Sequence, residues 1–205
     1  MSRATALGTL LASAEIRPVD GPLSAAEAAI EIIAVTADSR RVAPGSLFVA
    51  IDGLRARGAE FAPGAVAAGA VAVVSEVAIP ALTVPVVRVA DARAALGHLA
   101  SAIHGHPSHH LQVIAVTGTN GKSTTTLLCA QLLGAAGIRT AAIGTLGVWT
   151  PAGFRPGQLT TPAATELQAL LAGLRAEGFE VVVIEVSSHA LDQQRLDGTR
   201  FTTTT

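Results

Sequence analysis

The 205-residue chain has a single cysteine, Cys129, so it can close no disulfide within itself. A reducing compartment is the simple default for such a chain. Aromatic residues make up only 3% of it and charged residues 14%. Lys and Arg number 14 against 15 Asp and Glu, a formal charge of -1, and a surface that grips nucleic-acid phosphates needs clustered cations instead. Nucleic acid is therefore not an expected partner. No apolar run approaches the roughly 20 residues that cross a bilayer. The N-terminal "MSRATALGTLLAS" has a short apolar patch without the h-region and cleavage site of a secretory signal. The expectation is a soluble, cytoplasmic protein with no membrane span.

Half of the residues are hydrophobic, and Ala, Gly and Val dominate, which suits close packing of helices on sheets in an α/β fold. Such a length supports one large domain or two modest ones, with enough apolar material for cores. The character of the chain changes near "GHPSHHLQ", residues 105–112, and the reading divides it into domains 1–108 and 109–205. In the first, "EIIAVTADSRRVAPGSLFVAIDG" (31–53) gives a short β-run, a polar turn at Asp38–Arg40, a Pro44–Gly45 turn and a strand from Ser46 to Ile51. "FAPGAVAAGAVAVVSE" (61–76) predicts a small-residue helix and a strand at Val71–Val74; a further strand precedes a helix that Asp91 caps.

The second half predicts a buried strand at Val113–Val116, a helix over Lys122–Leu133 and a strand at Thr140–Ile143. Leu167, Leu170, Leu171 and Leu174 mark one face of a helix, capped by Thr161 or Thr165 and closed at Gly178. "VVVIEVSS" (181–188) then reads as a strand buried on both faces. Strand–helix alternation of this kind predicts parallel βαβ units with right-handed crossovers. Cys129, among leucines, reads as a small buried hydrophobe. His104, His106, His109 and His110 lie in a Gly/Pro/Ser stretch without ligand spacing, which favours solvated linker residues over a metal site.

"VTGTNGKSTTT", residues 116–126, explains itself as a phosphate cradle. A strand ends at Val116, Gly118-Thr119-Asn120-Gly121 forms a loop, and Lys122-Ser123 opens a helix, the arrangement of a P-loop. Glycines let backbone N–H groups turn toward phosphate oxygens, and the helix N-terminus adds partial positive charge. Lys122 would reach the outer phosphates and Ser123 would help to hold Mg²⁺. Val116 stands where the general G-x-x-x-x-G-K-[ST] pattern has glycine. Glu185 follows the apolar run Val181–Ile184, and ligands of open parallel sheets bind at the carboxyl edge. It is the second expected Mg²⁺ ligand.

These residues resemble the Mur ligase family. "TGTNGKSTTT" is similar to that family's shortened ATP loop, T-G-T-N-G-K-[ST]-[TS], which accounts for Val116. "LTTP" (159–162) and "EVSSHALDQQR" (185–195) resemble the tripeptide-synthetase (MurE) branch, and "TADSRRVAPGSLFVAIDG" (36–53) resembles the family's uridine-nucleotide-binding domain. The resemblance implies a small α/β UDP-binding domain followed by the first part of a P-loop parallel-sheet ATPase domain. It also implies a reaction: ATP phosphorylates the terminal carboxylate of UDP-N-acetylmuramoyl-L-alanyl-D-glutamate, and the amine of a third amino acid, diaminopimelate or lysine, displaces the phosphate. Lys122 and Glu185 would be the catalytic pair, with Ser123 and Glu185 on Mg²⁺. ATP phosphates would lie on Gly118, Thr119, Asn120, Gly121, Lys122, Ser123 and Thr124. The uridine part would meet Ala37, Ser39, Leu54, Arg55 and Ala56; the muramoyl-peptide end, Thr160, Thr161, Ser187, Gln193 and Arg195.

The chain also departs from the family. Leu159 occupies a position that is Asn in some relatives, and Arg57-Gly58-Ala59 stands where many have Asp-Gly-His. "GTRFTTTT" (198–205) replaces the expected apolar strand, and family members are more than twice this long. The remainder of the ATPase domain and the domain that selects the amino acid would thus be missing, leaving a chain that binds but does not ligate alone. The dipeptide-adding (MurF) branch and a non-catalytic nucleotide-binding module are the alternatives.

Overall fold

Short apolar runs with alternating side chains build the N-terminal sheet. The computed structural model describes residues 4–53, 56–157 and 159–204, and contacts divide the chain into units 1–103 and 104–205. In the first unit β1 (Thr5–Ala6) leads into α1 (Leu7–Ser13), followed by α2 (Ala25–Ala28) and β2 (Glu31–Ile32), which pairs antiparallel with β1. Then come β3 (Ala34–Thr36), β4 (Ser46–Ala50), α3 (Ala62–Ala67), β5 (Ala70–Ser75), β6 (Val86–Arg88) and α4 (Ala92–Ile103). The sheet order is β3-β4-β5-β6, with every pair parallel.

Because strand side chains alternate between faces, β4 serves two cores. Leu47 and Val49 join Leu7, Leu10 and Leu99 in one cluster, while Phe48 and Ala50 join Ala62 and Ala65 in the other. Both faces are covered, as parallel sheets require. The expected cap of α4 is present: Ala94 N–H donates to Asp91 Oδ1 at 2.8 Å.

The second unit comprises β7 (Gln112–Val116), α5 (Lys122–Ala135), β8 (Thr140–Gly144), β9 (Gly147–Thr150), β10 (Gly153–Arg155), α6 (Ala164–Ala176), β11 (Val181–Glu185), α7 (Ser188–Asp192) and β12 (Thr203–Thr204). The sheet runs β10-β9-β8-β11-β7-β12. β11 is central, parallel to both β7 and β8, and all five of its residues are buried. Val182 and Ile184 pack with Leu167, Leu171 and Leu174 of α6; Val181 and Val183 pack on the α5 side with Ala130. Each fully buried leucine of α6 contributes about 1.5–3 kcal/mol by leaving water.

Three expectations change. The β9–β10 hairpin adds an antiparallel edge to the parallel βαβ core, and all three residues of β10 are exposed, so no burial pattern marks it. α6 begins after Ala163 without a side-chain cap bond, because the Thr161 hydroxyl has a backbone partner elsewhere and Thr165 lies inside the helix. The histidine segment is part of the second unit and no free linker: Pro107 and Ser108 are buried in a short 3-10 turn, Arg200 N–H donates to Ser108 Oγ at 2.9 Å, and His106 stacks on His109. Cys129 is half-buried and packs against the α5-side cluster. Thr203 and Thr204 of the C-terminal threonine run pair parallel with Ile114 and Ala115.

Candidate functional site: a phosphate loop beside a buried carboxylate

After β7 the backbone takes conformations open to glycine alone or nearly so: φ is +144° at Gly118 and +79° at Gly121. Gly121 is the N-cap of α5 and offers no side-chain cap. The first-turn amides of this 14-residue helix, unpaired within the helix by geometry, are therefore left for a ligand together with the positive end of its dipole. Lys122 folds back over the loop, its Nζ donating to Gly118 O at 2.7 Å and reaching Thr119 O at 3.4 Å. These carbonyls hold the ammonium group above the loop.

Glu185 ends β11 at the carboxyl edge of the sheet and is only 3% exposed. Its Oε1 accepts from Thr145 N–H at 3.2 Å and its Oε2 from the Thr145 hydroxyl at 3.1 Å. Space for the carboxylate comes from the neighbouring strand, since a Cβ on Gly144 would collide with Glu185 Oε1. A cavity of about 360 Å³ opens over this carboxylate. Residues 119–124 form one wall; Thr145, Thr160 and Ser187 line the rest with Glu185.

The rim is tied to β11 from below. Buried Thr161 donates its hydroxyl proton to Glu185 O at 2.8 Å and accepts from Ser187 N–H at 3.2 Å. Arg195 Nη1 donates to Thr161 O at 3.0 Å, and its Nε and Nη2 donate to Gln193 Oε1 at 3.2 and 2.8 Å. Ser187 Oγ accepts from Ala190 N–H at 3.1 Å and so caps α7.

Comparison with known proteins follows these two units. The Mur ligase family catalytic-domain profile matches residues 31–104, and the Mur ligase middle-domain profile matches residues 116–204. The chain belongs to the Mur ligase family. It is 44% identical over 206 residues to the UDP-N-acetylmuramoyl-L-alanyl-D-glutamate--2,6-diaminopimelate ligase of Xanthomonas oryzae pv. oryzae, covering 98% of this chain and 39% of that one. The enzyme of the same name from Geobacter sulfurreducens is 41% identical over 83% of this chain and 34% of its own. A solved structure of such a ligase superposes with a TM-score of 0.82 at 28% identity, covering 98% of this chain and 40% of that chain. MurF from Acinetobacter baumannii shares the fold, with a TM-score of 0.60 at 23% identity over 90% of this chain and 36% of its own. The chain thus spans about 39% of the length of the first of these relatives.

The structure gathers Thr119, Asn120, Gly121, Lys122, Ser123, Thr124, Thr160, Glu185 and Ser187 around one cavity. Gly118 supplies a carbonyl to Lys122, while Thr161, Gln193 and Arg195 form a hydrogen-bonded chain joined to the rim through Thr161. Thr145 escaped the sequence reading. Its signal is position: it directly follows the apolar run of β8 at the same carboxyl edge as the phosphate loop.

Ala37, Ser39 and Ala56 belong to the other unit. Ala37 and Ser39 follow β3 at the carboxyl edge of its parallel sheet, with Ser39 opening a 3-10 turn that Asp38 caps through Arg40 N–H at 3.0 Å. The Arg40 guanidinium beside it holds the Asp38 carboxyl below its ordinary value. Ala56 O accepts from Gly53 N–H at 3.0 Å, and Leu54 and Arg55 lie outside the described residues. Within Arg57-Gly58-Ala59, Gly58 packs so closely on the Ala50–Ile51 backbone that a Cβ would not fit, and its N–H donates to Asp52 Oδ1 at 2.8 Å. A depression of about 560 Å³ beside this turn is lined by Asp52, Arg57, Glu60 and Ile79, among others. No helix among the described residues is long and apolar enough to cross a membrane.

Proposed function

We propose that this chain provides the nucleotide-binding parts of an ATP-dependent carbon–nitrogen ligase of peptidoglycan precursor synthesis. In this reading the ligase adds the third amino acid to UDP-N-acetylmuramoyl-L-alanyl-D-glutamate, in the cytoplasm. The observation that carries the reading is the shared cavity, in which a phosphate loop, a buried carboxylate and the Thr160–Ser187 rim face one another. The first unit acts as the UDP-muramoyl-binding domain, and the second as the start of the central ATP-binding domain. The names of the relatives favour diaminopimelate over lysine as the added amino acid.

The chemistry follows from the groups present. A carboxylate is a poor electrophile, so its oxygen first takes the γ-phosphoryl group and ADP departs. The amine nitrogen then bonds to the acyl carbon, the C–O bond to phosphate breaks, and the nitrogen loses a proton. Lys122 would exchange the Gly118 carbonyl for a phosphate oxygen, and the loop amides would hold the charge that shifts during transfer. Ser123 and Glu185 offer hard oxygen donors on one cavity, a set suited to Mg²⁺. Bound there, Mg²⁺ would neutralise phosphate charge. Thr160, Thr161, Ser187, Gln193 and Arg195 would orient the peptide end, the Arg195 guanidinium suiting a carboxylate. Ala37, Ser39 and Leu54–Ala56 would hold the uridine end.

Calorimetric titration with the UDP-muramoyl-dipeptide, and separately with Mg·ATP, tests this. Binding of both is expected, with Ser39→Ala or Arg195→Ala weakening only the muramoyl nucleotide. A folded protein that binds neither overturns the reading.

A further inference from the structure

We propose that Thr145 is the positioning residue for Glu185, holding the carboxylate in the orientation that a divalent cation needs; the proposal rests on reading the cavity as a Mg·ATP site. Thr145 opens the turn between β8 and β9 and is the sole residue among those described whose donors reach that carboxylate. It does so at two points: its backbone N–H takes Oε1 at 3.2 Å and its hydroxyl takes Oε2 at 3.1 Å. A two-point hold fixes the plane of a carboxylate where a single bond would leave it free to turn. Each oxygen has a second lone pair, so the hold leaves acceptor capacity for a cation on the cavity side. Gly144, just before Thr145, keeps the adjacent space free of a Cβ.

The hydroxyl also lies 3.0 Å from Thr160 Oγ1. A hydroxyl has one proton, and the carboxylate can only accept. The Thr145 proton therefore goes to Glu185, and Thr145 accepts from Thr160. The relay runs Thr160 to Thr145 to Glu185, from the cavity rim to its floor. Thr160 stabilises the arrangement from one step away, and Thr145 is the direct donor.

Nothing in the sequence motifs contains this relation, since Thr145 and Glu185 are 40 residues apart and meet only because Gly144 and Glu185 end neighbouring strands. The loop residues act on phosphate directly, whereas Thr145 would act through Glu185. Its loss should therefore appear in the Mg²⁺ dependence of nucleotide binding and leave Mg²⁺-free binding alone.

The test is ATP titration of the complete protein with and without Mg²⁺ for wild type, Thr145→Val and Thr145→Ser. Valine keeps the β-branch and the backbone N–H but removes the hydroxyl. Thr145→Val should weaken Mg²⁺-dependent ATP binding about tenfold, the scale of one hydrogen bond to a charged group, with Mg²⁺-free binding unchanged. Thr145→Ser should restore binding to within about twofold of wild type. Unchanged binding in Thr145→Val, equal weakening with and without Mg²⁺, or failure of the serine variant to rescue would each overturn the proposal. A wild type without Mg²⁺-dependent binding would overturn the ATP-site reading and the proposal with it. A Mg²⁺-dependent wild type with an unmoved Thr145→Val overturns the proposal alone.

Discussion

The two units each carry a parallel sheet with residues of interest at its carboxyl edge, yet they bury different material. Among the described residues of 1–103 the buried polar side chains are three serines, Ser46, Ser75 and Ser101; in residues 104–205 they include Thr126, Thr140, Thr161, Gln168 and the carboxylate of Glu185. No charged side chain is buried among the described residues of the first unit. Ala37, Ser39 and Ala56, its described candidate binding residues, are half-buried, so they compete with water and suit recognition. The second unit gives up solvation of a carboxylate to set it in a protein interior, where electrostatic interactions are stronger than in water. That arrangement suits a site where charge must move, and the desolvation is offset by the two Thr145 bonds.

The largest test of this contrast is Lys122→Met. Phosphate release by the complete ligase should fall about a thousandfold, the upper range for one lost electrostatic contact in a transition state. Calorimetric binding of the muramoyl nucleotide should stay within about twofold. Loss of muramoyl-nucleotide binding together with phosphate release would show that the two units do not divide recognition and chemistry.

A smaller effect separates two glycines. Gly144→Ala forces a Cβ into the Glu185 carboxylate and should lower stability by about 1–3 kcal/mol through overpacking. Gly64→Ala in α3 meets nothing within 4 Å and should stabilise by up to about 1 kcal/mol through helix propensity. Thermal melts of the two variants decide it, and equal shifts would sink the argument that the second site is tightly built.

The smallest effect is a response to acid. In the first unit Asp20, Glu27 and Asp38 are held below their ordinary values by hydrogen bonds from Arg88, Ser24 and Arg40, whereas in the second Glu177 is held down by Arg155. A carboxyl depressed in the folded state contributes stability above its ordinary value, 3.8 for Asp and 4.5 for Glu, and loses it as pH falls through the folded value. These groups are exposed or half-buried, so each effect is small. Below about pH 4.5 circular dichroism, which sees both units, should decline ahead of the fluorescence of Trp149, the sole tryptophan and a residue of the second unit. Coincident curves would contradict this difference between the units.

Much of this fold was legible because its signals are local. β7, β11 and α6 announce themselves through continuous or periodic apolar residues, and the phosphate loop through glycine spacing. The β9–β10 hairpin was not legible, since β10 buries nothing and a glycine-rich stretch with Pro151 and Pro156 reads as loop. Thr161 misled as a helix cap because its hydroxyl is used 24 residues away, on Glu185 O. Thr145 was invisible for the same reason: its partner is near in space and far in sequence.

One consequence concerns the lone thiol. Cys129 sits on α5 less than two turns after Ser123 and packs, half-buried, on the cluster beneath that helix. Lifting of α5 from the sheet would expose more of this side chain to a reagent. With no second cysteine to compete, the rate of alkylation includes the part that lifting adds, and a ligand that anchors the start of the helix should lower it.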